Sequence, residues 1–169
     1  MKKQWRAFLL AFVVPIALVA WWWGVFNPVQ VEVAVRGPYR FAYQEVTGDY
    51  TNLPQRQQSV LRILDSQNVL AGASAIELYS DPRVVVDKTQ QKARVGYLIP
   101  ANAAVHDPLM VVDIPQRRVL VAHVKAQPLI APGKAYKALL DYLKQRDMKF
   151  VLPTLEIYQD HVLTVEMDL

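Results

Sequence analysis

Polar and apolar residues alternate along several stretches of this chain, and each alternating stretch predicts a strand. Val31-Glu32-Val33-Ala34-Val35 is the first, and the aromatic-rich run 39–46 follows it after Gly37-Pro38. Further strands are predicted over 74–79, 93–99, 109–114, 117–125, 151–158 and 162–169, the last two as a hairpin across Gln159-Asp160-His161. Two stretches change to a helical period. One starts at Asn52, a candidate N-cap with Pro54 close behind, and runs to about Gln67. The other opens at Pro132, where Tyr136, Leu139, Leu140 and Leu143 form an apolar stripe and Lys134, Lys137, Asp141 and Lys144 the opposite face.

The chain also repeats itself. Ala75-Ile76-Glu77-Leu78-Tyr79-Ser80-Asp81 returns as Thr154-Leu155-Glu156-Ile157-Tyr158-Gln159-Asp160, and the same offset lays Val60, Leu61 and Leu64 on Leu139, Leu140 and Leu143. A match over a helix and the following strand implies two copies of one supersecondary unit. The expected fold class is therefore α+β: a tandem repeat of two strand-helix-strand-strand units, in halves of about 31–100 and 101–169. Together they form a pseudo-symmetric two-layer sandwich with a central cleft. Alternation puts Leu155 and Ile157 on one sheet face, Glu156 and Tyr158 on the other. One amphipathic helix per unit is expected to cover the aliphatic face, leaving glutamates and tyrosines on the opposite face.

The first thirty residues stand apart. Residues 7–26 carry no charge, follow Lys2, Lys3 and Arg6, and end near Trp21-Trp22-Trp23. Twenty helical residues reach roughly 30 Å, the thickness of a bilayer's hydrocarbon core. Residues 1–30 are thus expected to be a cytoplasmic tip, an uncleaved transmembrane signal anchor and a short linker. The basic flank places the N-terminus in the cytoplasm and the remainder, 31–169, in the periplasm of a bacterium.

Charge changes the picture in one respect. The formal charge of +4 comes from 19 basic and 15 acidic residues. Three of the positives precede the apolar run, which leaves 16 basic against 15 acidic side chains beyond it. That balance supplies no electrostatic footprint for nucleic acid. The chain has no cysteine, which excludes disulfides, thiolate metal sites and cysteine nucleophiles. His106, His123 and His161 lack metal-ligand spacing, and no metal or cofactor is expected.

Two signatures carry a family resemblance. Tyr79-Ser80-Asp81-Pro82 leads through Asp87-Lys88 to Arg94-Val95-Gly96-Tyr97, and Leu155-Glu156-Ile157-Tyr158 lies near the C-terminus. In this order, on a repeat, they resemble the GyrI-like small-molecule-binding domain of gyrase inhibitors and multidrug-sensing regulators, over residues 31–169. The resemblance implies a cleft in which Glu156 pairs with cationic aromatic ligands. Tyr158, Tyr79, Tyr43 and Tyr97 are the candidate ring walls, and Glu77 is a second candidate carboxylate by position in the repeat. The function expected is a membrane-anchored module holding an amphipathic, cationic or aromatic small molecule. The alternatives are a hydrolase of electrophilic compounds, with Glu156 as base and Glu166 beside it on the same face, and a scaffold for a membrane-protein partner. Catalysis is the lesser expectation, since no nucleophile elbow or Ser-His-Asp order is present.

Overall fold

The computed structural model describes every residue except Met1, Pro82, Arg83 and Val86, and of residues 2–10 the backbone alone. Pro82, part of the expected turn, lies outside the described residues. Helix α1 (Lys2–Trp22) leads to β1 (Gln30–Arg36) and β2 (Tyr39–Thr47). A short 3-10 turn (Tyr50–Asn52) runs into α2 (Leu53–Ser66), followed by β3 (Ser74–Leu78) and β4 (Lys92–Ile99). The second half comprises β5 (Met110–Ile114), β6 (Arg117–Lys125), α3 (Ala131–Gln145), β7 (Thr154–Gln159) and β8 (Val162–Asp168). The predicted strand at 151 starts later because 151–153 stay outside the sheet. Asn52 makes no capping bond with its side chain. Asp49 caps instead, its carboxylate accepting from the Thr51 N–H of the 3-10 turn.

All eight strands form one antiparallel sheet in the order β1-β6-β8-β7-β3-β4-β2-β5. Exchanging each strand for its counterpart in the other half returns the same order read backwards, so the topology is two-fold. The first strands are exchanged between halves: β1 pairs with β6, and β5 with β2. Val60 and Leu64 of α2 are buried, as are Leu139 and Leu143 of α3.

The repeat seen in the sequence is nevertheless one residue out of step in the central strands. Ser74–Leu78 corresponds as an element to 154–158, so the counterpart of Glu156 is Ile76, not Glu77. Residues directly opposite in neighbouring strands share a face. Glu156 stands opposite Val165 and Ile76, and Tyr158 opposite Leu163 and Ser74. Leu163, Val165 and Met167 pack with Ala135, Leu139 and Leu143 of α3. Glu156 and Tyr158 therefore lie on the helix-covered face, a correction to the expected layering. Glu77 stands opposite Leu155 and Arg94, on the other face.

That second face is also largely a core. Phe41, Ala75, Leu155 and Ile157 are buried there with no helix in their cluster. The topology explains how. Strands β1 and β2 lie toward opposite ends of the sheet yet are joined by Gly37 and Pro38 alone, and β5 and β6 by Pro115 and Gln116 alone. The sheet must curl until its ends approach. The two links touch at Gly37, where an added Cβ would sit 2.9 Å from the Pro115 carbonyl oxygen. The curl turns an aliphatic sheet surface inward on itself, so the helices are free to cover the mixed one.

Helix α1 ends at Trp22 rather than continuing to Phe26. Its end is fastened to the body. Lys134 Nζ donates to the carbonyl oxygens of Gly24 (2.9 Å), Val25 (2.6 Å) and Asn27 (2.7 Å). Among the described residues, no helix is long and apolar enough to cross a membrane.

Candidate functional site

A cavity of about 360 Å³ opens between the N-terminal ends of α2 and α3. Tyr50 and Leu53 form one wall; Pro132, Gly133 and Tyr136 from the first turns of α3 form the opposite one. Phe150 and Leu152, on the segment entering β7, add apolar surface. Leu78, Ser80 and Asp81 border it from the end of β3, and Thr154 and Glu156 form its floor on β7. The size suits a small organic molecule, and an apolar wall with a few polar groups is the usual make-up of such sites.

Glu156 is the unusual group. It is only 5 % exposed, and among the described residues no cationic side chain stands within ion-pair distance of it. Burial pushes its carboxyl up to about 7, while hydrogen bonding from the Tyr136 and Tyr158 hydroxyls pulls the other way. The Tyr158 hydroxyl lies 3.5 Å from Glu156 Oε2, at the outer limit of a hydrogen bond. Tyr136 exchanges a 2.8 Å hydrogen bond with Thr154 Oγ1. Both phenols are themselves pushed up by burial and by the neighbouring carboxylate. The Tyr50 hydroxyl is held by the Ser80 and Lys92 carbonyl oxygens at 3.1 and 2.7 Å, which sets its ring as a fixed wall.

The other predicted residues separate from this site. Tyr97 faces the helix side but packs against α2 with Val60 and Leu64. Tyr43, Glu77 and Tyr79 lie on the opposite face, gathered around Arg94. The Arg94 guanidinium sits 4.7 Å from the Tyr43 ring centroid and 5.0 Å from that of Tyr79. It pairs with Glu77 and Glu45 at 3.3 Å each, and the Tyr79 hydroxyl donates to Glu77 at 2.6 Å. The cation expected among these rings is thus a side chain of the protein itself.

Glu166 is not a neighbour of Glu156. It stands opposite Leu155 and Val121, on the other sheet face. Its carboxylate accepts from Arg36 Nε (2.9 Å), the Tyr39 hydroxyl (2.8 Å) and Arg117 Nη2 (3.1 Å). An acid/base pair of Glu156 and Glu166 is therefore ruled out by strand parity. Tyr50, Tyr136 and Phe150 were not among the site residues expected from sequence. Tyr136 belongs to the stripe of α3, where its position one turn before Leu139 reads as core; it serves as both core and wall.

Comparison with known proteins bears on the fold. The GyrI-like small molecule binding domain matches residues 30–166. The chain belongs to the GyrI-like family. A search of curated protein sequences returned no match. Among solved structures, EcmrR bound to DNA in a transcription complex is similar at a TM-score of 0.65 and 11% identity, over 99% of this chain and 67% of EcmrR. The EcmrR C-terminal domain alone gives 0.60 at 11% identity, over 84% of this chain and 96% of that domain. SAV2435 bound to tetraphenylphosphonium gives 0.57 at 11% identity, over 82% and 93%. At these identities the likeness establishes the GyrI-like fold. Of the site residues expected from sequence, Glu156 is the one that lines the cavity, with the Tyr158 hydroxyl beside its carboxylate.

Proposed function

We propose that this GyrI-like protein binds a lipophilic organic cation in the cavity above Glu156, with that carboxylate as counter-ion. The observation that carries the reading is a buried acid with no cation beside it among the described residues, on the floor of an aromatic-walled cavity. A buried carboxylate without a cationic partner is costly. A ligand that brings its own positive charge and apolar surface removes that cost, and each tyrosine face adds cation–π attraction of roughly 0.5–2 kcal/mol. Tetraphenylphosphonium, the ligand in the SAV2435 structure, is a suitable probe. Titrated into the full chain in detergent, it should quench tyrosine emission saturably. Unchanged affinity in Glu156→Gln would remove the counter-ion role.

The proposal includes a tether. Helix α1 shows nine consecutive apolar residues, 11–19, all exposed around its circumference. A helix apolar on every side suits lipid better than water. These nine described residues are too few to span a bilayer, so the tether rests on the whole uncharged run 7–26 of the sequence. The basic residues before it favour a cytoplasmic N-terminus. The domain would then stand on the periplasmic side. Protease protection of the domain in spheroplasts, where external protease should digest it, tests that arrangement; protection would reverse it.

A further inference from the structure

We propose that the body of the protein lies against a bilayer surface through a patch of Trp22, Phe26 and Leu129, placing the Glu156 cavity beside the lipid interface. This rests on the tethered reading above and adds a second contact to it. Leu129 is 82% exposed, Trp22 78% and Phe26 68%. Leu129 lies on the loop between β6 and α3, and that loop is bound to the end of α1. Gln127 N donates to the Trp23 carbonyl at 3.0 Å, and Lys134 holds three carbonyls of the turn after α1. Gly24 allows the close approach: its φ is +76°, and a Cβ there would sit 2.6 Å from the Lys125 carbonyl oxygen. The segments that carry the three exposed side chains are thus fastened together at the end of α1.

The helix that leads into the patch selects its occupant. A protein groove or a second helix needs one apolar stripe with polar flanks. Residues 11–19 offer no polar flank. Tryptophan and a nearby lysine, here Lys125, suit the headgroup level of a bilayer. The same segment leads straight into the cavity wall: Pro132 and Gly133 follow Leu129 within one helical turn, and Gly133 has open space where a side chain would be. An amphiphilic cation, concentrated at an anionic lipid surface, would meet the cavity there.

The chain lacks cysteine, so single labels are simple to place. Leu129→Cys and, as a control, Leu70→Cys (75% exposed, beyond the end of α2) would carry a nitroxide in the full chain in phosphatidylcholine–phosphatidylglycerol vesicles. The label at 129 should be reached by oxygen and shielded from a water-soluble nickel chelate, with the reverse at 70. If the chain floats with vesicles but both labels meet the chelate equally, the patch proposal is overturned and the tether survives. If the chain does not float, the tether itself fails and the patch with it. Leu129→Glu should slow tetraphenylphosphonium uptake several-fold in vesicles and leave affinity in detergent unchanged; equal rates in vesicles would contradict the interfacial route.

Discussion

Glu156 and Glu166 are both buried carboxylates of the second half, on adjacent strands, and their surroundings are opposite. Glu166 is enclosed by two guanidiniums and a phenol, so every part of its charge is answered within the chain. Glu156 has the Tyr158 phenol at the edge of hydrogen-bonding reach, the Tyr136 phenol as a second neighbour and an open cavity in front of it. The first arrangement ties β8 to β1, β2 and β6, where the curled sheet brings its ends together. The second leaves a charge to be answered from outside. Burial alone does not distinguish a structural acid from a binding acid; the chain's own cations do.

The sharpest way to break this comparison is to neutralise each acid. Glu166→Gln should destabilise the protein by about 2–4 kcal/mol at pH 7, because Arg36 and Arg117 lose their shared partner. Denaturant unfolding in detergent would measure it, and a neutral result would remove the contrast. Glu156→Gln should act in the other direction. Its carboxyl ionises near 4.5 in the unfolded chain and near 7 in the folded one. Between those values the folded state keeps a proton that the unfolded chain has lost, so stability falls as pH rises through this window and stays lower above it. The variant should thus gain about 1–3 kcal/mol at pH 8 and nothing at pH 4, while its affinity for tetraphenylphosphonium drops roughly tenfold or more.

Smaller effects refine the same contrast. Tyr158→Phe removes one donor from Glu156, so the acid should titrate higher still. Cation binding would weaken a few-fold at pH 7 and be little changed at pH 9, as a pH series of titrations would reveal. Arg94→Ala, on the far face, should leave tetraphenylphosphonium affinity unaltered and cost about 1 kcal/mol of stability, since its ion pairs are partly exposed. A clear loss of binding in that variant would mean the Tyr43–Tyr79 cluster belongs to the site after all.

Much of the architecture was legible in the alternation and in the stripe of α3, down to the hairpin at Asp160 and His161, which adopt φ values of 51° and 64°. The faces were not. Two matching Glu-x-Tyr segments suggested equal positions, but the connection from helix to strand spans 67–73 in the first half and 146–153 in the second, one residue longer, so the following strands are shifted by one. In a strand a shift of one reverses the face. Pattern reasoning also assumes that a helix must cover the aliphatic side; here the curled sheet covers that side itself. Arg94 was visible in sequence, but its insertion between Tyr43 and Tyr79 depends on β2, β3 and β4 lying side by side, an arrangement no local spacing encodes. Tyr50 was hidden for a similar reason, since its place in the cavity follows from long-range contacts to Ser80 and Lys92.

The most direct test follows the proton. At pH 6 the Glu156 carboxyl is largely protonated, so a cation that pairs with it must expel that proton. Calorimetric titration of tetraphenylphosphonium in buffers of differing ionisation enthalpy should show release of close to one proton per cation bound at pH 6, fading to none near pH 9. Glu156→Gln should show none at either pH. Tight binding at pH 6 without proton release would contradict the account, because the cation would then be resting somewhere other than on this acid.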